Sequence, residues 1–160
     1  MPHLVYIALG TNLGVRPTNL REAITAMPPK VRVLAESHVY ETLPWGYADQ
    51  PAFLNMVVRG ETDLPPADLL QRLKRLESAL GRKPTFRNGP RLIDLDLLFY
   101  DDLVLDTPRL ILPHPRLHER GFVLVPLADI APGLVHPRLG RTVTDLLREV
   151  GQAGIRKWEG

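Results

Sequence analysis

The stretch Arg87–Tyr100 reads R-N-G-P-R-L-I-D-L-D-L-L-F-Y, and its second half has the composition of a buried strand interrupted by two carboxylates. Successive side chains of a strand point to opposite faces, so Asp94 and Asp96 share one face and the leucines and isoleucine around them share the other. The two aspartates lie about 6–7 Å apart at their backbones. At an effective dielectric constant of about 20, their repulsion costs about 2–3 kcal/mol, and a bound cation would offset it.

The surroundings of this aspartate pair indicate both the cation and its partner. Two hard oxygen ligands on one face suit Mg²⁺, which takes one or two carboxylates and completes its shell with water and phosphate oxygens. Four basic residues lie just upstream: Arg82, Lys83, Arg87 and Arg91. A metal ligand pair beside phosphate-binding cations is typical of a phosphoryl-transfer site. The residues alone leave a second interpretation open, in which the aspartates face solvent on an amphipathic strand and the arginines are solvated.

Working outward, hydrophobic periodicity predicts four strands and two helices in the order β-α-β-β-α-β. The strands are expected at 4–9, 31–42, 53–61 and 93–100, and the helices at 17–27 and 66–80. This order is that of an α+β, ferredoxin-like fold whose two helices cover one sheet face and leave the other open. Residues 101–160 are expected to add a hairpin, a proline-rich stretch, the apolar run Phe122–Ile130 and a helix near Thr142–Val150. We expect a single domain spanning residues 1–160.

Side-chain parity assigns residues to the two faces of this predicted sheet. The helix-covered face takes Leu54, Met56, Val58, Ile93, Leu95 and Leu97. The open face carries Phe53, Asn55, Asp94 and Asp96, which places an aromatic ring and an amide beside the two carboxylates.

Composition limits the possible functions. The chain has 160 residues, of which 44% are hydrophobic, a net charge of +2 and no cysteine. These values permit a packed core and an anionic ligand, but they lack the dense basic stripe of a dedicated nucleic-acid binder. The absence of cysteine excludes thiolate metal sites and disulfides, and no apolar run reaches the length of a membrane span. We therefore expect a cytoplasmic protein without a membrane or nucleic-acid partner.

Three further motifs have competing interpretations. Gly10–Gly14 follows a strand and precedes a helix, but it matches no phosphate-binding glycine motif and is interpreted as a turn. His114 and His118 have a spacing that could bind zinc on a helix, yet the prolines at 113 and 115 argue against a helix, so nucleotide contact or simple exposure is favoured for His114. Glu77 is expected on the solvent side of the second helix, either as an exposed charge or as an acceptor near a bound nucleotide.

The segment Gly89–Leu98, G-P-R-L-I-D-L-D-L-L, closely resembles the signature of the 6-hydroxymethyl-7,8-dihydropterin pyrophosphokinase family. The resemblance runs along nearly the whole chain. It includes, in order, Ala8–Gly14, Tyr40–Pro44, Asp49–Asn55, Leu80–Arg82, Pro113–Arg116 and Glu119–Leu127.

The resemblance implies an enzyme of folate biosynthesis with a ferredoxin-like fold. It would transfer the pyrophosphoryl group of ATP to the hydroxymethyl group of the pterin and release the pterin diphosphate and AMP. Asp94 and Asp96 would hold two Mg²⁺ ions. The residues 82–91 would close as a lid, and a monomer acting on these two small molecules is expected.

The resemblance also implies roles for individual residues. The pterin ring would lie between Phe53 and Phe122, and its polar edge would meet Thr42, Asn55 and the backbone around Leu43 and Trp45. Arg82 and Arg91 would stabilise the migrating charge. ATP would be held by these two arginines together with Arg109, His114 and Arg120, with Glu77 nearby.

Two other functions fit parts of the pattern. A ferredoxin-like RNA-binding module would need exposed aromatic residues on its central strands, and the corresponding motif is absent from this chain. A metal-dependent phosphohydrolase would share the acidic pair, and the nucleotide product separates it from the kinase.

Overall fold

The computed structural model describes residues 2–42, 51–81 and 92–159, and its elements follow the predicted order closely. The strands and helices are β1 (His3–Thr11), α1 (Arg16–Ala26), β2 (Val31–Glu36), β3 (Tyr40–Thr42), β4 (Phe53–Thr62), α2 (Pro66–Ala79), β5 (Asp94–Tyr100), β6 (Leu105–Asp106), β7 (Ile111–Leu112), α3 (Gly121–Ile130), α4 (Val143–Val150) and β8 (Ile155–Lys157), with a short 3-10 helix at Leu117–Glu119. Within these residues, no helix is both long and apolar enough to cross a membrane.

One antiparallel sheet organises the molecule. Its strand order is β5-β1-β4-β3-β8, and β2 pairs with the same central strand, β4, as β3 does. The single strand predicted at 31–42 is two strands, because the ladder is interrupted at Ser37. The Ser37 N–H still donates to the Val57 carbonyl oxygen at 2.9 Å, but it is the Ser37 hydroxyl that accepts from the Val57 N–H, also at 2.9 Å. Counted as one unit, β2 and β3 complete the ferredoxin-like βαββαβ core, and the predicted fold class is confirmed.

The first face of the sheet packs against α1 and α2, as side-chain parity predicts. The residues assigned to it, Leu54, Met56, Val58, Ile93, Leu95 and Leu97, are all at most 5% exposed and belong to one core. Leu20 and Ala23 of α1 and Leu69, Leu73 and Leu76 of α2 complete this core. The leucine stripe of α2 and the alternation of β4 and β5 thus bury the same interface from both sides.

The second face is not open along its length, and that prediction is wrong. A second core covers part of it, in which sheet residues Tyr6, Val57, Leu98 and Phe99 pack against Val123, Leu124 and Leu127 of α3 and Val143 and Leu146 of α4. The apolar run 122–130 forms a helix that needs a buried face, and the sheet supplies it. The part of this face that carries Phe53, Asp94 and Asp96 stays partly exposed.

The remaining C-terminal predictions are confirmed. The strands β6 and β7 form the expected hairpin. The last helix, α4, begins after Thr142, whose hydroxyl accepts a hydrogen bond from the Asp145 N–H at 3.1 Å and caps the helix. The sequence did not predict β8, which adds an edge strand beside β3.

Candidate active site

The strand register brings the predicted site residues together around one glycine of β1. Gly10 lies opposite Asn55 of β4 on one side and opposite Asp94 of β5 on the other. Two residues earlier, Ala8 lies opposite Val57 and Asp96. Directly opposed residues share a face, so the amide and both carboxylates stand on the same side of the sheet, as predicted.

Ala8 and Gly10 of β1 have little or no side chain, so the backbone of β1 is the surface between these side chains. A Cβ atom on Gly10 would lie 3.0 Å from Nδ2 of Asn55 and 3.7 Å from Cδ1 of Phe53. Gly10 is thus a strand residue and not part of the predicted turn. A glycine at the end of an apolar strand often marks a close approach of other atoms to the backbone, and Gly10 is such a residue.

The Asn55 amide is held in one orientation. The Thr42 hydroxyl donates a hydrogen bond of 2.7 Å to Oδ1 of Asn55, and the two residues are 6% and 9% exposed. Because the carbonyl oxygen faces Thr42, the NH₂ group of the amide is the end that lies above Gly10. Phe53 lies opposite Thr42 in the same ladder and is partly buried.

A cavity of about 370 Å³ collects most of the predicted metal and nucleotide residues. Its lining includes Asp94, Asp96, Glu77, Arg109 and His114. In the described part of the chain, no three His, Cys, Asp or Glu side chains are placed to hold a metal ion together. Two carboxylates, with the remaining ligands from water or phosphate, are the usual arrangement for Mg²⁺.

His114 is a neutral hydrogen-bond donor in this cavity. Burial, aided by the positive charge of Arg120, lowers the pKa of His114 to about 4. Its Nδ1 atom accepts a hydrogen bond from the Arg116 N–H at 3.2 Å, so the proton of the neutral ring is assigned to Nε2. The Nε2–H group can then donate to an anionic oxygen.

Arg120 interacts both with the aspartate pair and with Phe122. Burial lowers the pKa of its guanidinium, while Asp96 and Asp94 act in the opposite direction, and an arginine stays charged under these conditions. The guanidinium carbon lies 5.7 Å from the centre of the Phe122 ring, within the range of a cation–π contact. Arg120 thus places positive charge beside both the carboxylates and the predicted pterin-stacking ring.

Glu77 differs from its prediction. It was expected on the solvent side of α2, but it is only 5% exposed, and its Oε2 atom accepts a hydrogen bond of 2.7 Å from the Leu95 N–H. Leu95 belongs to β5, an edge strand of the sheet, so this N–H points away from β1. The helical spacing contained the signal, because Glu77 is four residues after the buried Leu73 and lies on the same stripe.

The other predicted residues divide into two groups. Thr42, Arg120 and Phe122 line a second cavity, of about 320 Å³. Leu43, Trp45, Arg82 and Arg91 lie outside the described residues.

Comparison with known proteins points to one family. Residues 6–132 match the family described as 7,8-dihydro-6-hydroxymethylpterin-pyrophosphokinase (HPPK). A 2-amino-4-hydroxy-6-hydroxymethyldihydropteridine pyrophosphokinase of Bacillus subtilis is 42% identical over 161 residues, which covers 99% of this chain and 92% of the relative. A protein of the same name from Methylorubrum extorquens is 44% identical, covering 96% of this chain and 98% of the relative.

Longer relatives contain this unit as a part. The chain is 40% identical to the folic acid synthesis protein FOL1 of Dictyostelium discoideum, where the match covers 95% of this chain but 23% of the relative. A crystal structure of Plasmodium falciparum HPPK-DHPS superposes with a TM-score of 0.81 at 15% identity, covering 98% of this chain and 49% of that one. At this identity the superposition supports the fold alone, and the fold agrees with the strand order described above.

Proposed function

The chain belongs to the 7,8-dihydro-6-hydroxymethylpterin-pyrophosphokinase family, and we propose that it transfers the pyrophosphoryl group of ATP to the hydroxymethyl group of 6-hydroxymethyl-7,8-dihydropterin. The products are the pterin diphosphate and AMP, and the reaction is a step of folate biosynthesis. The observation that carries this proposal is the register around Gly10, which has Asn55 on one side and Asp94 on the other. A pterin bound by the amide would have its hydroxymethyl group beside phosphate oxygens bound at the carboxylates.

Asp94 and Asp96 fit Mg²⁺ as ligands. They are partly exposed, share one face and line one cavity, and their oxygens are the ligand type that Mg²⁺ prefers. Asp94 and Asp96 would hold two Mg²⁺ ions here, as the resemblance to the family implies. When bound, Mg²⁺ supplies positive charge that offsets the carboxylate repulsion and favours ionisation of the attacking hydroxyl group.

The first cavity fits the nucleotide. His114 would donate its Nε2–H to a phosphate oxygen, and the exposed Arg109 would add a positive charge at the rim. Arg120 would reach the same phosphates from the side of Phe122. Arg82 and Arg91 stay predicted as the groups that stabilise the charge developing on the transferred phosphates. Glu77 would act on this site through the strand that it anchors.

The pterin side fits a flat heteroaromatic ring. Phe53 and Phe122 would cover its two faces, and stacking between aromatic rings is favourable in this arrangement. The Asn55 amide, held by Thr42, would pair with the polar edge of the ring, and Leu43 and Trp45 would supply backbone contacts there. An amide fixed in one orientation distinguishes donors from acceptors on the ligand, because the wrong pattern leaves a buried polar group unpaired.

The chemical step needs positioning and charge stabilisation from the protein. The hydroxyl group of the pterin releases its proton to water, and its oxygen forms a bond to the β-phosphorus of ATP. The bond between that phosphorus and the α,β-bridging oxygen breaks. AMP leaves with the electron pair of the broken bond. The residues of this chain hold the two substrates together and present cations to the phosphoryl oxygens, where charge develops.

The nucleotide product tests the proposal. The protein is incubated with ATP, Mg²⁺ and 6-hydroxymethyl-7,8-dihydropterin, and the nucleotides are separated by chromatography. Equal amounts of AMP and pterin diphosphate support the pyrophosphokinase. Release of ADP, or of free phosphate without the pterin, would instead support a phosphohydrolase or an ordinary kinase. A monomer and a cytoplasmic location stay predictions, the first of which light scattering can test.

A further inference from the structure

We infer that Ala153, Gly154 and Ile155, within the C-terminal segment 151–157, form one wall of the pterin site and control pterin affinity without contributing to the nucleotide site. The inference rests on the proposed function, in that Thr42 and Phe122 are taken to bind the pterin. The segment lies beyond residue 132, where the match to the family ends. Its role therefore comes from the contacts of this chain.

Strand pairing joins the segment directly to the site. Ile155 of β8 lies opposite Thr42 of β3, the residue whose hydroxyl orients the Asn55 amide. At the next position, Glu41 lies opposite Arg156 and accepts hydrogen bonds from its Nε and Nη2 atoms at 3.1 and 2.6 Å. The segment is thus paired with the strand that carries Thr42, and Asn55 lies on the strand beyond it.

The same glutamate connects the segment to the other end of the site. Glu41 also accepts a hydrogen bond of 3.0 Å from Arg16 of α1, and this arginine donates a second one, of 2.9 Å, to the Ala52 carbonyl oxygen. Both arginines lower the pKa of Glu41, Arg156 more than Arg16, so the carboxylate is ionised at neutral pH. Ala52 immediately precedes Phe53, so one ionic network fixes both strand ends that carry predicted pterin residues.

The segment also packs directly against Gly121, the first residue of α3. A Cβ atom on Gly121 would lie 2.8 Å from Cδ1 of Ile155 and 2.9 Å from the carbonyl oxygen of Gly151. Only glycine fits this contact, because a Cβ atom would press against both the Ile155 side chain and the Gly151 carbonyl oxygen. Phe122 is the next residue of α3, so its position depends on the placement of the segment.

These contacts enclose a cavity of about 320 Å³. Its lining includes Thr42, Arg120 and Phe122 together with Ala153, Gly154 and Ile155 of the segment. The volume is at the lower end of the range for small-molecule sites. An aromatic ring, a cation and apolar walls together suit a planar heteroaromatic ligand with a polar edge, the chemical class to which a pterin belongs.

The segment offers a matched pair of substitutions for the test. Ala153 lines the cavity, whereas its neighbour Gln152 belongs to the same exposed turn and does not line it. Ala153→Trp should fill part of the cavity and raise the KM for the pterin about tenfold, while the KM for ATP and kcat change less than twofold. Gln152→Trp should leave all three constants within twofold of the wild type. Thermal denaturation of both variants should match the wild type, because both residues are exposed.

The outcomes separate this inference from the proposed function. If the wild-type protein forms no AMP with the pterin, the proposed function fails before the segment is tested. If the wild type is active and Ala153→Trp behaves like Gln152→Trp, or raises both KM values together, the inference is wrong. Ile155→Ala is a second, smaller perturbation. It removes a wall contact to Gly121 and should raise the KM for the pterin selectively, so it decides the question if Ala153→Trp does not fold.

Discussion

Replacing Glu77 by alanine removes the acceptor of the Leu95 N–H, which lies 2.7 Å from the Glu77 carboxylate in a region where the glutamate is 5% exposed. Leu95 separates Asp94 from Asp96, so Glu77→Ala acts on the strand between the two proposed metal ligands. We expect loss of both stability and activity, although Glu77 is assigned no contact with the reacting atoms. Its role is to position β5.

The magnitude follows from the buried donor. A buried N–H group left without a hydrogen bond costs about 1–3 kcal/mol. For a domain of this size, each kcal/mol lowers the melting temperature by about 2–4 °C. Glu77→Ala should therefore lower it by about 2–12 °C. Since an error of about 1 Å in the placement of reacting groups costs about 10²-fold in rate, kcat should fall by about one to two orders of magnitude.

Two controls separate the hydrogen bond from other effects. Glu77→Gln keeps an acceptor oxygen at nearly the same place and should recover most of the stability and rate. Ser78→Ala changes the next residue of α2, which is exposed, and should leave both unchanged. Thermal denaturation and steady-state kinetics are measured on all three variants. If Glu77→Ala melts within 1 °C of the wild type, or if Glu77→Gln is as damaged as Glu77→Ala, the positioning role is refuted.

Further predictions concern the side chains on both sides of Gly10. Asp94→Asn and Asp96→Asn should each lower kcat by about 10²–10³-fold while circular dichroism stays unchanged, and near-normal turnover of either would remove the proposed metal site. Asn55→Ala should raise the KM for the pterin by about tenfold and leave that for ATP unchanged, since it removes about one hydrogen bond to the pterin. Calorimetric titration with each substrate measures this, and an equal loss of affinity for both would contradict it. Burial lowers the pKa of His114 to about 4 in the folded protein, against 6.5 ordinarily. Between pH 4 and pH 6.5 the unfolded chain binds the extra proton more readily than the folded protein does. The free energy of unfolding, measured with urea, should therefore fall from pH 7 to pH 4.5, and it should fall less in His114→Gln. Parallel pH profiles of the two proteins would contradict the shift.

Alternation explains why much of the sheet could be predicted from sequence. Leu54, Met56 and Val58 repeat every second residue, as do the apolar residues around Asp94 and Asp96, so one assignment of faces fixes both strands. The structure confirms that assignment for the buried face and places Asn55 and Asp94 on the two sides of Gly10. The register itself could not be predicted, because alternation specifies a face and not which residues are opposed.

The C-terminal third was less predictable, for physical reasons. The run 122–130 is apolar on nearly every side, and such a run does not distinguish a buried helix from a buried strand. Its folding onto the second face corrects the expectation of an open sheet. The strand β8 has three residues and is held by pairing with β3 and by Glu41, which are contacts between residues distant in sequence.

We propose that the aspartate pair and the Asn55 amide bind the two substrates on either side of Gly10. A crystal structure with a non-hydrolysable ATP analogue, Mg²⁺ and the pterin tests this most directly. We expect Mg²⁺ bound by Asp94 and Asp96, the ring between Phe53 and Phe122, and the hydroxyl oxygen about 3–3.5 Å from the β-phosphorus. Metal bound elsewhere, or a pterin outside the reach of Asn55, would contradict it.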